Sequence, residues 1–353
     1  MNSSENSAAR RLPAEWEPQD GVLLTWPHDQ SDWRPFLAEV EPVYVEIARA
    51  VCARERLLVC VRDAQHREHV QALLDAGGVA SARVQLCIAG SNDSWARDHG
   101  PITVFDEGSP RLLDFRFNGW GGKYEAALDD RISATLAAAG SFGSTPLDAI
   151  DFVLEGGAIE SDGAGVLLTT ATCLLAPGRN PAFSRAQIEQ RLGELFGLQR
   201  VLWLEHGFLE GDDTDSHIDT LARFCDPGTI AYVRCDDPHD AHHPALAAME
   251  QELMALRDQR GAPYRLVPLP WPAAKRNVEG KRLPATYANF LLINGAVLVP
   301  SYRDAADQAA LAQIAHCFPG RDIIAIDCLP LIRQYGSLHC ITMQLPAGVL
   351  APL

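Results

Sequence analysis

Apolar runs of strand length alternate with amphipathic stretches of helix length along the whole chain. Short runs rich in Val, Ile, Leu and aromatics predict strands at 21–27, 57–61, 83–88, 102–105, 165–171, 218–224, 229–233, 264–268, 291–293, 296–300, 322–326 and 338–344. Helical periodicity predicts helices between them at 33–53, 64–75, 126–138, 184–195, 244–259 and 304–316. The Asn294-Gly295 pair between two of these runs is a hairpin signal, so antiparallel pairs are expected within a mixed α/β chain. The order strand, helix, paired strands recurs loosely about five times, at about 60–70 residues per unit. No Pro/Ser-rich linker divides the chain, and 140–146 (GSFGSTP) reads as a surface loop. One domain over 1–353 is expected, with 1–11 as a flexible N-terminal tail.

Composition narrows the field. The chain has 353 residues, 47% hydrophobic and 22% charged, as expected of a folded globular protein. A formal charge of −16 disfavours nucleic acid or an anionic membrane surface as partner and is compatible with a cationic ligand. No apolar stretch is long enough to cross a bilayer and the first residues lack a secretory core, so a cytoplasmic location is expected. Nine cysteines without C-x-x-C spacing fit reduced thiols better than a disulfide framework or zinc cluster. Neither G-x-G-x-x-G after the first strand nor a Walker motif occurs, so no nucleotide cofactor is implied.

Four segments could carry chemistry. Residues 210–219 (EGDDTDSHID) crowd five carboxylates around one histidine. A solvated acidic turn is the plain alternative; a calcium loop fits poorly, because Ile218 and Phe224 stand where an EF-hand from Asp213 needs Gly and Glu. If a strand begins there, His217 and Asp219 point to one face, a general acid/base beside a binding carboxylate. Residues 92–101 (NDSWARDHGP) place Trp95, Arg97 and Asp98 before an extended run. Residues 154–157 (LEGG) set Glu155 before two glycines, otherwise an ordinary turn. Residues 335–344 (YGSLHCITMQ) hold Cys340 in a strand-like run, although spacing alone does not prefer it to Cys225 or Cys173.

Together with FNGWGG at 117–122 and TYANFLLING at 286–295, these segments in this order resemble the agmatine deiminase family of guanidino-group-modifying enzymes, over 12–346. The resemblance implies a pseudo-fivefold α/β propeller of ββαβ units, the pentein fold, with a central active site. It implies that Cys340 is the nucleophile, His217 the acid/base, Asp219 and Asp98 the guanidinium-binding carboxylates, and Glu155 the residue that orients and charges His217. No metal or other cofactor is implied, and a homodimer is the family expectation. One departure stands out: where many members read G-G-x-[IL]-H-C, this chain has Tyr335-Gly336-Ser337-Leu338.

A guanidinium is planar, stays charged and offers N–H groups in a fork that carboxylates match, so two acids can orient its central carbon. Resonance makes that carbon a poor electrophile and calls for a soft, strong nucleophile, a thiolate favoured by a neighbouring cation. The expected reaction is hydrolysis of agmatine to N-carbamoylputrescine and ammonia through a covalent Cys340 thiouronium. Trp95 and Trp120 are candidates to face the cation, or are simply packed, and Gly336 and Ser337 are candidate substrate contacts. The nearest alternative is a deiminase of peptidyl-arginine or another guanidino compound, followed by an amidinotransferase. A metal-dependent hydrolase and a non-catalytic binding protein are rivals of other classes.

Overall fold

The computed structural model describes residues 10–352. Its unit of construction is a tight antiparallel strand pair followed by a helix that returns the chain to a third, parallel strand. Ile102–Asp106, Ser109–Arg116, helix Ile132–Ala138 and Leu147–Val153 form one such sheet. Ile159–Ser161, Val166–Thr170, helix Arg185–Phe196 and Arg200–Leu204 form the next. Ala222–Asp226, Thr229–Val233, helix His243–Ala255 and Arg265–Leu269 repeat the order, as do Leu291–Ile293, Ala296–Ser301, helix Asp307–Cys317 and Asp322–Asp327.

The fifth sheet is assembled from both ends of the chain. Thr342–Pro346 pairs antiparallel with Gln19–Thr25, which pairs in parallel with Arg56–Val61 across helix Leu37–Cys52. Helix Ala64–Ala76 leads to a fourth strand, Val84–Ile88, and a small separate ribbon pairs Lys275–Arg276 with Arg282–Leu283.

Local chemistry explains the boundaries. Asn294-Gly295 turns the predicted hairpin, with Gly295 at φ 72° and Ile293 opposite Ala296. Helix Arg185–Phe196 starts in a Ser184/Gln187 capping box and ends at Gly197 in the left-handed region. All five residues of Val166–Thr170 and of Thr229–Val233 are buried, as strands covered on both faces should be. No helix among the described residues is long and apolar enough to cross a membrane.

Three expectations need correction. The strand predicted from 218 begins at Ala222, because Ile218–Thr220 is a 3-10 turn. The strand predicted over 338–344 begins at Thr342, leaving Cys340 in the turn before it. The stretch 140–146 is not a plain surface loop, since Ser141 and Phe142 are buried. Residues 1–9 of the expected tail lie outside the described residues; Arg11 pairs by two 2.9 Å backbone hydrogen bonds with Phe105, and Arg10 bridges to Asp106.

Candidate active site

Each of the five sheets delivers a polar residue in the few positions before its first antiparallel strand. Asp98 precedes Ile102–Asp106, Glu155 precedes Ile159–Ser161, and His217 with Asp219 precedes Ala222–Asp226. Asn289 precedes Leu291–Ile293, and Cys340 precedes Thr342–Pro346. These five segments meet. Gly157 marks the meeting point: a Cβ there would lie 2.5 Å from His217 Nδ1, 2.9 Å from Asp98 Oδ1 and 3.1 Å from Asp219 Oδ2. Only glycine leaves room for the three groups to converge, which gives the second glycine of LEGG its reason.

Cys340 is buried, its Sγ 3.3 Å from Asn289 Nδ2 and 3.9 Å from Asp219 Oδ2. Asn289 Oδ1 accepts from the backbone N–H of His339 at 2.8 Å, fixing the turn that presents the thiol. Burial, then the charges of Asp219 and Asp98, push the Cys340 thiol well above its ordinary range. These surroundings favour the protonated thiol until a cation offsets them.

The two carboxylates are held differently. Asp98 accepts from Trp120 Nε1 at 2.9 Å and from the Gly157 backbone N–H at 3.0 Å. Burial pushes its carboxyl up to about 6, with Asp219 and Glu155 adding and His217 opposing. Asp219 accepts from His339 Nδ1 at 2.8 Å, and its Oδ1 is buried without a partner. Burial works against its charge, but His339, His217 and Arg223 together hold it below the usual carboxylate range.

His217 is fully buried, with Nδ1 3.6 Å from Asp98 Oδ1 and neither ring nitrogen within hydrogen-bond distance of a partner. Burial opposes its charge; Asp98, and then Cys173 and Glu155, raise it well above the ordinary histidine range. The acidic segment before it is a built loop. Asp212 accepts from the N–H groups of Thr214 and Ser216, Asp213 accepts from Tyr124, and Asp215 pairs with Arg179 and Lys123.

Glu155 makes no hydrogen bond to His217. Both of its oxygens accept from Arg179 Nε, at 3.0 and 2.9 Å, and the pair is fully buried. Among the described residues, Glu155, Cys173 and His217 are the one set whose ligand-type atoms all lie within 4.8 Å of one another. The Arg179 cation already occupies both Glu155 oxygens, so this set reads as the surroundings of His217 and not as a cation site.

A cleft of about 510 Å³ leads from the surface to Asp98 and Cys340. Its wall carries Asp32, Asp93 and Asp213 with Trp95, Trp120, Tyr124 and Tyr335, and among the described residues no Lys, Arg or His side chain lines it. Gly336 lies in this wall because a Cβ there would sit 2.1 Å from the Trp95 ring. Tyr335 and Trp120 hold φ of 68° and 56°, uncommon for bulky residues, and both residues line the cleft. Ser337 does not line it; its hydroxyl is turned to Tyr302 at 3.0 Å.

Asn289, Arg179 and His339 were not singled out from sequence, and Cys173 appeared only as one of the thiols that spacing could not tell from Cys340. Asn289 lay within the TYANF motif and His339 beside Cys340, yet only the fold shows what each touches.

A family model described as Porphyromonas-type peptidyl-arginine deiminase matches residues 11–346. The agmatine deiminase of Pseudomonas aeruginosa (strain LESB58) is 33% identical over 361 residues, covering 96% of this chain and 95% of that protein. A Porphyromonas gingivalis structure provisionally described as an arginine deiminase is 52% identical with a TM-score of 0.91, over 97% of this chain and 100% of that one. A cysteine-to-serine variant of C. jejuni agmatine deiminase with substrate bound is 36% identical with a TM-score of 0.90, over 99% and 100%. On this full-length match the chain belongs to the Porphyromonas-type peptidyl-arginine deiminase family, which it shares in sequence and fold with agmatine deiminases.

Proposed function

We propose that this protein is an agmatine deiminase, a hydrolase that converts agmatine and water to N-carbamoylputrescine and ammonia. One observation carries the reading: a thiol between two buried carboxylates, at the end of a cleft lined by acids and aromatic rings without a basic side chain. Asp98 and Asp219 suit the two edges of a guanidinium, whose N–H fork they would accept. The wall suits the free ammonium at the far end of agmatine and offers no cation to pair with the α-carboxylate of arginine. The five sheets would surround this site as the blades of a pseudo-fivefold propeller, with the five converging segments at its centre.

In the proposed mechanism the bound guanidinium offsets the negative field that protonates Cys340, and the thiol releases its proton to solvent. The thiolate attacks the guanidinium carbon, forming a C–S bond. The C–N bond to a terminal nitrogen breaks as charged His217 gives it a proton, and ammonia leaves. Neutral His217 then takes a proton from water; the hydroxide adds to the thiouronium carbon, the C–S bond breaks to free the thiolate, and the hydroxyl proton of the product passes to solvent, leaving the neutral ureido group. Asn289 Nδ2 would donate to the thiolate in both steps, and the Glu155–Arg179 pair would hold the wall behind His217. The nine free, buried thiols fit a cytoplasmic enzyme.

Ammonia release from agmatine, free arginine and an arginyl peptide, measured side by side, tests the reading. Agmatine should be turned over with the highest kcat/KM, and Cys340→Ala should abolish turnover while leaving the circular dichroism spectrum intact. Preference for the peptide would move the assignment to peptidyl-arginine, and full activity of Cys340→Ala would end it.

A further inference from the structure

Behind the catalytic carboxylates lies a second buried charged cluster that the mechanism above does not use. Its centre is His339, 1% exposed, with Nδ1 2.8 Å from Asp219 Oδ2 and Nε2 2.7 Å from Glu15 Oε2. Glu15 also faces Arg223 Nη2 at 2.9 Å and Arg97 Nη2 at 3.6 Å, and its second oxygen accepts from the Leu292 N–H at 2.7 Å. Arg223 Nε bonds Glu160 at 2.7 Å, and Glu160 also accepts from the Phe224 N–H. Arg97 Nε reaches the His339 carbonyl at 3.4 Å, and Asp98, Cys340 and His217 are further titratable groups around Asp219.

Two observations bear on the state of this ring. Both nitrogens point at carboxylate oxygens, which accept and cannot donate when ionised, a geometry that suits a ring with a proton on each nitrogen. Three buried carboxyl groups, Glu15, Glu160 and Asp219, face two guanidinium groups, Arg97 and Arg223, so an imidazolium would balance the cluster with all three ionised. A buried excess charge is the costly alternative.

We propose that His339 is a charged positioning residue: held by Glu15, it keeps Asp219 ionised and immobile, with Oδ1 left free for the guanidinium of the substrate. The proposal rests on the reading of Asp219 as a guanidinium carboxylate. It gives the histidine before the nucleophile a task of its own, separate from the proton transfers of His217. It also explains how a fully buried Asp219 keeps a charge beside Asp98, where an unassisted carboxyl would take up a proton.

The consequence is a distinctive pH signature. Without the imidazolium, burial and the Asp98 charge would raise the Asp219 carboxyl, so at neutral pH part of the enzyme would hold a proton where the substrate needs a charge. For His339→Gln the KM for agmatine should rise about tenfold or more at neutral pH and fall back as pH is raised, while the wild-type KM stays flat there. Glu15→Gln should show the same trend more weakly, since it loosens the ring without removing it. A raised KM that ignores pH, or an unchanged KM in both variants, overturns the proposal.

A measurement independent of turnover accompanies the kinetics. In wild-type protein labelled with 15N-histidine, the His339 ring, assigned by its loss in His339→Gln or from sequential backbone connectivity if that variant fails to fold, should show both N–H groups at neutral pH. A neutral His339 with one N–H at neutral pH overturns the proposal, whatever the substrate proves to be. Should wild type fail to release ammonia from any guanidine, the functional reading falls while the nitrogen spectra still report the charge of His339.

Discussion

Asp98 and Asp219 are the same side chain in opposite electrostatic states, and the difference is their neighbours. Asp98 receives neutral N–H groups and has its carboxyl at about 6, whereas Asp219 receives His339 and sits below the usual range. For folding, the two act oppositely. The stability associated with protonated Asp98 is lost as pH rises from its unfolded value towards about 6; that associated with ionised Asp219 is lost as pH falls towards its depressed value. For catalysis, only ionised Asp98 can grip a guanidinium. We therefore expect kcat/KM for agmatine to fall on the acid side with an apparent limb near pH 6, seen in a pH–rate profile of the free enzyme. Asp98→Asn should erase that limb and lower kcat/KM by roughly 10²-fold or more at every pH.

At this scale it was the resemblance, six motifs in order, that named Cys340, His217, Asp98, Asp219 and Glu155; composition and spacing alone preferred neither Cys340 among the thiols nor Glu155 over an ordinary turn. Asn289 stood inside one of those motifs without a role, and Arg179 stood in none. An asparagine or arginine in a loop is unremarkable until the fold sets it against a thiol or a buried carboxylate.

Elements supply the precision that residues lack. His217 and Asp219 share a site not by strand alternation, as the H-x-D spacing suggested, but because a 3-10 turn from Ile218 to Thr220 separates them before the strand begins. Cys340 likewise sits in a turn pinned by Asn289. The sequence pattern also missed the strands Ser109–Arg116 and Leu147–Val153, where charged residues interrupt the apolar run. The paired chains reconcile those charges, Arg111 meeting Asp148 at 2.8 Å. The turn before Ile159–Ser161 depends on the Glu155–Arg179 pair, which has no exposure to water. Arg179→Ala would strand a buried carboxylate, and we expect a loss of about 3–5 kcal/mol, measured by denaturant unfolding. A stability equal to wild type would mean that Glu155 takes up a proton or another partner at little cost.

Over the whole molecule, a formal charge of −16 surrounds a cleft whose wall carries three carboxylates in addition to Asp98. A dication should be drawn to it through a field that salt weakens. Raising ionic strength from about 0.01 M to about 0.15 M should lower kcat/KM for agmatine while leaving kcat nearly unchanged, as steady-state kinetics at several salt concentrations would show. An equal fall in kcat would place the salt effect on the chemical step instead.

The sheet that joins Gln19–Thr25 to Thr342–Pro346 sets an order on the birth of the protein. The first of these strands emerges well before the second, with three consecutive buried apolar residues, Val22 to Leu24, and one edge open until its partner arrives. Cys340, two residues before that partner strand, is made after Asp98, Glu155, His217, Asp219 and Asn289. A chain interrupted before it would therefore be both inert and adhesive, bearing an unpaired edge and no nucleophile.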